Sequence, residues 1–384
     1  MTGPLLAIEP HDREILLEGR KAESGVRVVV PDDDPPVLSI DIYSFQPQVH
    51  PDTHLGFWHF RLGKGGHEMR LRFDFSSIGE SSVRAFIGGR EIVPEHRWVN
   101  PDYRLAPLLD GKFVFWSKDD RILLLKRFVL KVQDPEILRA FYARQFAAEG
   151  YRPEAPFLDR LYHYKLRILK RYFGRFFRGR VLDVGCGLCL FTKIGKTWKF
   201  QIVAGDLIHA QVAERAGERP DIHWTAFDAA APPFKPESFD GLFAGEILEH
   251  LPRPEEALRE WNRVLKPGGV LILTTPNRQR RTNRLNRENW PYSPDHLREF
   301  GFDELNRDML PGAGFKPVRK RGIYLELWTR SNRWWFEDHL QREGNTRKNL
   351  ALMKILYRVG FVFPRQSLDL VTVAKKIDPG PGRN

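Results

Sequence analysis

Cysteine is nearly absent: the 384-residue sequence holds two, Cys186 and Cys189, which excludes a disulfide framework. Their CxxC spacing has no second pair to complete a zinc site, and both stand in a strand-to-glycine-turn context that already accounts for them. No apolar run reaches the roughly 18 residues of a membrane-crossing helix. The opening MTGPLLAIEPHDRE lacks a basic n-region and a sustained apolar stretch, so no secretory signal is expected and a cytoplasmic location is. Acidic residues are also in short supply, 49 against 61 Lys and Arg, for a net charge of +12. That balance favours anionic partners: nucleic acid, an anionic membrane surface, or an acidic substrate. Part of the excess is local, with seven basic residues and no acid from Lys165 to Arg180, interleaved with Tyr172, Phe173, Phe176 and Phe177. An amphipathic helix with a solvated basic face is the first reading, and a membrane- or RNA-binding helix the alternative.

The length predicts two domains. Residues 1–132 carry short stretches rich in β-branched and aromatic residues: Val26–Val30, Val37–Phe45, Phe57–Leu62, Met69–Phe75, Val83–Ile87, Lys112–Trp116 and Ile122–Val132. Turn-forming clusters such as PDDDPP and GKGG separate them, and MRLRFDF alternates, which predicts a β-sandwich-like accessory domain. His50, His54, His59 and His67 match no tight metal-ligand spacing. Residues 133–180 are expected to form a helical linker or cap, with helices over Asp134–Gly150 and Phe157–Phe177.

Arg180–Thr192, RVLDVGCGLCLFT, reads as a buried strand followed by a glycine turn. Gly185 and Gly187 allow a sharp turn and close approach of a ligand. Asp183 puts a carboxylate where ligands bind in open α/β sheets, a charge that suits an ammonium and a sulfonium better than a pyrophosphate. A second strand, Gln201–Gly205, ends in Asp206, 23 residues beyond Asp183, the spacing of an acid that accepts ribose hydroxyls. A third, Ile222–Ala226, leads to Asp228; Phe239–Ala244 is the fourth; a helix, a Lys-Pro-Gly-Gly turn and Val270–Thr274 follow. Helices are predicted over Leu190–Trp198 and Pro294–Leu310, and strands over Phe315–Leu327 and Ser367–Lys375, with a helical insertion, aromatic and basic, at 331–363.

VLDVGCG, with its acidic strand tips and KPGG, resembles the class I S-adenosylmethionine-dependent methyltransferases, and departs from the fuller glycine motif at Cys189. The resemblance implies a Rossmann-like, seven-stranded α/β domain over 181–384. It also implies a cofactor site at Asp183, Gly185, Cys186, Gly187, Asp206, Leu207, Asp228, Ala229 and Glu246, with Tyr142 as an aromatic contact to the methionine end.

Glu246, Glu249 and His250 stand at i, i+3 and i+4, so a helix would put all three on one face. This ExxEH pattern resembles the divalent-metal site of small-RNA 2′-O-methyltransferases and ubiquinone-pathway O-methyltransferases, with His296 as a fourth ligand for Mg²⁺ or Mn²⁺. Relatives without a metal carry similar sequences; there, Glu246 lines the cofactor pocket, and His250 and His296 are the candidate bases, with Glu249 beside them. After the fifth strand, NRQRRTNRLNRENWPYSPDH offers five arginines with Trp290 and Tyr292, suited to a phosphate-, carboxylate- or sugar-bearing acceptor, or simply solvated. The expected activity is O-methylation of a glycan, glycolipid precursor or other polyhydroxylated metabolite. The alternatives are a phenolic or quinone-type lipid precursor and RNA. Peripheral contact with an anionic membrane and oligomer formation are further expectations.

Overall fold

The computed structural model describes residues 7–10, 14–30, 37–44, 53–101, 105–116, 122–149, 156–187, 189–191, 198–286, 296–326 and 347–377. The chain divides into two compact units, 1–142 and 143–384.

In the first unit all seven expected strand stretches form strands, and four short ones join them. The strands are β1 (Ala7–Pro10), β2 (Glu14–Glu18), β3 (Lys21–Val30), β4 (Val37–Ser44), β5 (Thr53–Arg61), β6 (Gly65–Asp74), β7 (Val83–Ile87), β8 (Arg90–Ile92), β9 (His96–Val99), β10 (Leu108–Trp116) and β11 (Ile122–Gln133). They make one 11-stranded sheet in the order β8-β7-β6-β3-β2-β11-β10-β4-β5-β9, with β1 on β3. The alternation works as predicted: Met69, Leu71 and Phe73 are buried while Arg70 and Arg72 face out. A sandwich of two separate sheets is not what forms. One hydrogen-bonded ladder curls until its ends approach, and Trp58 Nε1 on β5 donates to the carbonyl of Glu80, between β6 and β7, at 2.8 Å. Trp58, Phe60, Phe73, Phe113 and Phe128 from both halves thereby share one core. After β11, Asp134 caps α1 (Pro135–Glu149), accepting from the backbone N–H groups of Glu136 and Ile137 at 2.9 and 3.3 Å.

The second unit opens with α2 (Pro156–Phe176) and seven strands: β12 (Gly179–Val184), β13 (Phe200–Asp206), β14 (His223–Ala226), β15 (Phe239–Gly245), β16 (Leu265–Pro276), β17 (Phe315–Leu325) and β18 (Ser367–Lys376). The order is β14-β13-β12-β15-β16-β18-β17, parallel except for β18, which is antiparallel to both neighbours. Successive strand residues feed opposite faces. Val181, Ile202, Phe243 and Ile272 pack with Leu169 and Phe173 of α2. Leu182, Val203, Leu242 and Leu271 pack with Leu258 and Trp261 of the helix Pro254–Val264. Helices on both faces of a mostly parallel sheet follow from strands apolar on both sides. The strand order reverses between β12 and β15, so the crevice at their carboxyl ends is where this architecture binds ligands.

Two expectations change. Residues 266–269 form no turn; Lys-Pro-Gly-Gly lies inside β16, with Gly268 at φ +69° opposite a register shift in β15. The helix predicted over Pro294–Leu310 is interrupted: Phe300 bridges Asn277 in extended form, and helical structure starts at Phe302, where the Glu304 carboxylate accepts from the Gly301 N–H at 3.0 Å. The insertion between β17 and β18 contains a helix, Arg347–Val362, that buries Met353 and Leu356; Trp334, Trp335 and Phe336 lie outside the described residues. Most of the helix predicted over Leu190–Trp198 lies outside them too. No helix among the described residues is long and apolar enough to cross a membrane.

Candidate active site

β12 delivers its chain into a turn held by backbone bonds from Cys186 N–H to the Gly205 carbonyl, 2.9 Å, and from Cys189 N–H to the Cys186 carbonyl, 2.6 Å. Gly185 and Gly187 take φ values of +64° and +47°. At Gly185 a Cβ would also stand 2.6 Å from Ile247 Cγ1. Gly185→Ala is therefore expected to lose at least about 1–2 kcal/mol from the left-handed backbone alone. A second increment comes from the Ile247 clash and should be recovered by Ile247→Ala, as a double-mutant cycle on thermal melting would show.

Two of the acids predicted at the strand tips, Asp183 and Asp206, converge on this turn. Asp206 accepts from Gly187 N–H at 2.9 Å and Ile208 N–H at 3.4 Å, tying the tip of β13 to the glycine loop. Burial raises its carboxyl above the usual range. Asp183 is 1% exposed, and burial, then the Asp206 charge, push its carboxyl well above the ordinary value, with the Cys189 thiol donating at 3.7 Å. Asp228 turns back on Ala230 N–H at 2.9 Å, and the Ala229 carbonyl accepts from Trp261 Nε1 at 2.8 Å. Leu207 is half-buried beside Asp206. Both cysteines are buried, and burial raises the Cys186 thiol, which makes it an inert packing group. Tyr142 belongs to the first unit, where it stands edge-on to Phe141 at 5.4 Å.

The ExxEH stretch is not one helix face. Glu246 has φ +54°, and only Leu248–His250 form a 3₁₀ turn. The left-handed residue separates Glu246 from the other two, so the four-ligand set contracts to Glu249, His250 and His296, with ligand atoms within 4.8 Å of one another. The two imidazoles meet edge to face at 4.9 Å. Glu249 is fully buried; Thr275 Oγ1 donates to its Oε2 at 2.9 Å, and its Oε1 has no hydrogen-bond partner among the described residues. Burial, then the charge of Glu246, push this carboxyl up to about 8. His296 Nδ1 lies 2.7 Å from Glu299 Oε1, and Arg280 donates to Glu299 Oε2 at 2.7 Å; all three are buried. A carboxylate paired with Arg280 accepts from Nδ1–H, so the neutral ring presents Nε2 as its proton-accepting nitrogen.

Glu246 instead pairs with Lys165 Nζ at 2.9 Å, and the same ammonium lies 2.9 Å from Asp369 Oδ2 on β18. Against the cost of burial, the two carboxylates hold Lys165 protonated well above its ordinary range. The lysine that heads the basic run is thus an interior cation, while Arg167, Lys170, Arg171 and Arg175 of α2 are exposed, the amphipathic arrangement read first. Nothing distinguished Lys165 in sequence except its place at i+1 from buried Tyr164 and i−4 from buried Leu169. The arginine-rich loop is also partly structural: Arg280 is 2% exposed and Arg278 pairs with Glu304 at 2.8 Å. Arg287, Trp290 and Tyr292 lie outside the described residues.

The strand order, the glycine turn after β12 and the acids at the tips of the next two strands define the class I methyltransferase fold. Residues 182–273 match the family model described as a methyltransferase domain, and the second unit around them has the fold of the class I S-adenosylmethionine-dependent methyltransferases. A ubiquinone biosynthesis O-methyltransferase of Idiomarina loihiensis is 29% identical over 153 residues, 38% of this chain and 62% of that protein. The methyltransferase GfsG of Streptomyces halstedii is 30% identical over 151 residues, 37% of this chain and 54% of that protein. Among solved structures, a SAM-dependent methyltransferase from Archaeoglobus fulgidus aligns at 19% identity and TM-score 0.38, over 55% of this chain and 94% of that one. The chain spans less than two thirds of the length of these curated relatives.

Proposed function

We propose that the chain is an S-adenosylmethionine-dependent O-methyltransferase whose acceptor hydroxyl is activated at Glu249, His250 and His296. The convergence of a carboxylate and two imidazoles at the carboxyl ends of the strands carries this reading. The cofactor, when bound, supplies an electrophilic methyl group. The residues of this chain hold and orient it and exclude water. Asp183 lies buried and Asp206 half-buried at the glycine loop, where they suit its ammonium and its ribose hydroxyls; Gly185, Cys186 and Gly187 give backbone room, Asp228 and Ala229 stand at the adenine end, and Glu246 and Leu207 flank the cleft.

A hydroxyl must lose its proton to be an effective nucleophile. His296 suits that task, because Glu299 fixes its ring, and Arg280 in turn holds Glu299 in place. The same trio fits a divalent cation. The Oε1 of Glu249, which has no hydrogen-bond partner among the described residues, is a natural ligand atom, and a Mg²⁺ or Mn²⁺ ion would lower the acceptor's pKa. Mn²⁺ titration followed by electron paramagnetic resonance is expected to show one bound ion per chain, with affinity at least tenfold weaker in Glu249→Gln, a loss in the range of a removed metal-site partner. Wild-type binding in that variant would remove the metal and leave the histidine base.

The acceptor we infer is a hydroxyl of a glycan, glycolipid precursor or similar polyhydroxylated metabolite. The ubiquinone biosynthesis O-methyltransferases among the relatives favour a second reading, a phenolic lipid precursor at an anionic membrane. Labelled S-adenosylmethionine incubated with the purified chain and with polysaccharide, lipid and RNA extracts separates them. Label in carbohydrate, lost in His296→Ala, supports the first reading and label in quinone-type lipid the second; label in RNA, or in no fraction, overturns both.

A further inference from the structure

The first unit carries an aromatic strip that its core does not use. On β5, Trp58 and Phe60 point into the core, while Phe57 and His59 alternate outward. A bulge opposite Ile42 and Tyr43 lets Leu55 stay buried while His54 joins the outer face. His54 stacks on Tyr43 at 4.6 Å and lies 5.4 Å from Trp98; Phe57 stacks on His59 at 4.4 Å and lies 6.2 Å from Trp98. Trp98 sits on β9, the last strand of the sheet order, and is 41% exposed.

Polar groups border the rings. Asp41, paired in register with Phe57 on one side and Lys112 on the other, is buried to 7% exposure and receives the Ser39 hydroxyl at 3.1 Å. His54 Nε2 is 3.5 Å from Asp41 Oδ1. Lys112 Nζ lies over the Tyr43 ring at 4.2 Å. Burial lowers the His59 imidazole below its ordinary range, so at neutral pH it is an uncharged donor and acceptor.

We propose that this face, centred on Phe57 and Trp98 with Asp41, His54 and His59 beside them, is a binding platform for a neutral saccharide chain. A pyranose ring presents a face of C–H groups with partial positive charge, which the negative faces of aromatic rings attract, and an edge of hydroxyls that the uncharged His59 imidazole can bond. Charge decides against a nucleic acid: Asp41 stands among the rings where a phosphate backbone would run, and Lys112 is the one cation in contact with them among the described residues. The platform extends the acceptor class proposed above, yet it is tested by binding alone, with no methyl transfer, so failure of either leaves the other standing.

The full chain is titrated by calorimetry and saturation-transfer NMR with maltohexaose, cellohexaose, xylohexaose and mannohexaose, and with an oligouridylate and anionic phosphatidylglycerol vesicles as competitors. At least one hexasaccharide is expected to bind, at least tenfold more weakly in Trp98→Ala and in Phe57→Ala, and with unchanged affinity in Arg72→Ala on the far half of the sheet. Far-UV circular dichroism and the thermal melting of the first unit should be the same in all three variants, which reports that they fold. Absence of saccharide binding at millimolar concentration, equal binding by Trp98→Ala, or binding of the oligouridylate or vesicles alone overturns the proposal.

Discussion

Replacing Lys165 by methionine is expected to destabilise the methyltransferase unit by about 3–5 kcal/mol at pH 8, the cost of removing one partner from a buried ionic group. Its ammonium lies 2.9 Å from both Glu246 Oε1 and Asp369 Oδ2, and Asp369 is 6% exposed, so solvent does not replace it at Asp369. The pH dependence carries the sign. Burial, even with Lys165 present, raises Asp369 to about 6, above an unfolded aspartate near 3.9. Ionised Asp369 therefore costs stability that is absent below about pH 4 and accumulates as pH rises through about 6. Without Lys165 the carboxyl moves higher still and takes a proton, so the penalty of the substitution should shrink between pH 8 and pH 5. Urea unfolding at both pH values measures it; a loss under 1 kcal/mol at pH 8, or one independent of pH, would mean that water already solvates the pair. Lys165→Met combined with Asp369→Asn should recover part of the loss, because an unpaired charge is the main cost.

That interior cation also marks where sequence reading stops. The sheet was legible because each parallel strand is an apolar run, and Asp206 stood out because its distance from Asp183 is set by one strand-helix-strand crossover. Lys165 looks like every other base between Lys165 and Arg180; its burial is decided by Asp369, far along the chain on an antiparallel strand. Glu246 was misread for a related reason. Periodicity assumes a helix, and the φ of +54° at Glu246 breaks it, sending that carboxylate to Lys165 while Glu249 and His250 turn toward His296. His296 and Glu299 likewise look like i, i+3 neighbours on a helix, and they do bond, but from a non-helical segment that leads into the bridge between Asn277 and Phe300. Local pattern found the right residues, and tertiary partners assigned them different jobs. In the first unit the alternating strands were readable, whereas the bulge that aligns His54 with Tyr43 and Phe57 has no signature in a single sequence.

Asp183→Asn is expected to weaken S-adenosylmethionine binding by about 10- to 150-fold, the loss of one hydrogen bond to a charged group at roughly 1.5–3 kcal/mol. The same substitution should make the cofactor-free protein more stable at neutral pH. Asp183 is 1% exposed, and its carboxyl is raised well above the ordinary value by burial and by Asp206. Since the folded pKa exceeds the unfolded one, the native state holds a proton that the unfolded chain has lost, and stability falls as pH rises from near 4 toward the folded pKa. Asparagine carries no charge to desolvate and can still accept from the Cys189 thiol, so it escapes that loss. The stabilisation should fall to about 0.5 kcal/mol at pH 4, where about half of the unfolded aspartate is itself protonated. A cationic ligand reverses the balance, because an ammonium beside the carboxylate favours its charged form; wild-type protein should therefore gain more in melting temperature from S-adenosylmethionine than Asp183→Asn does. Calorimetric titration with melting curves at pH 4 and pH 8 tests both halves. Equal cofactor affinity would remove Asp183 from the site, and a variant less stable than wild type at pH 8 would show that its carboxylate serves the fold rather than the ligand.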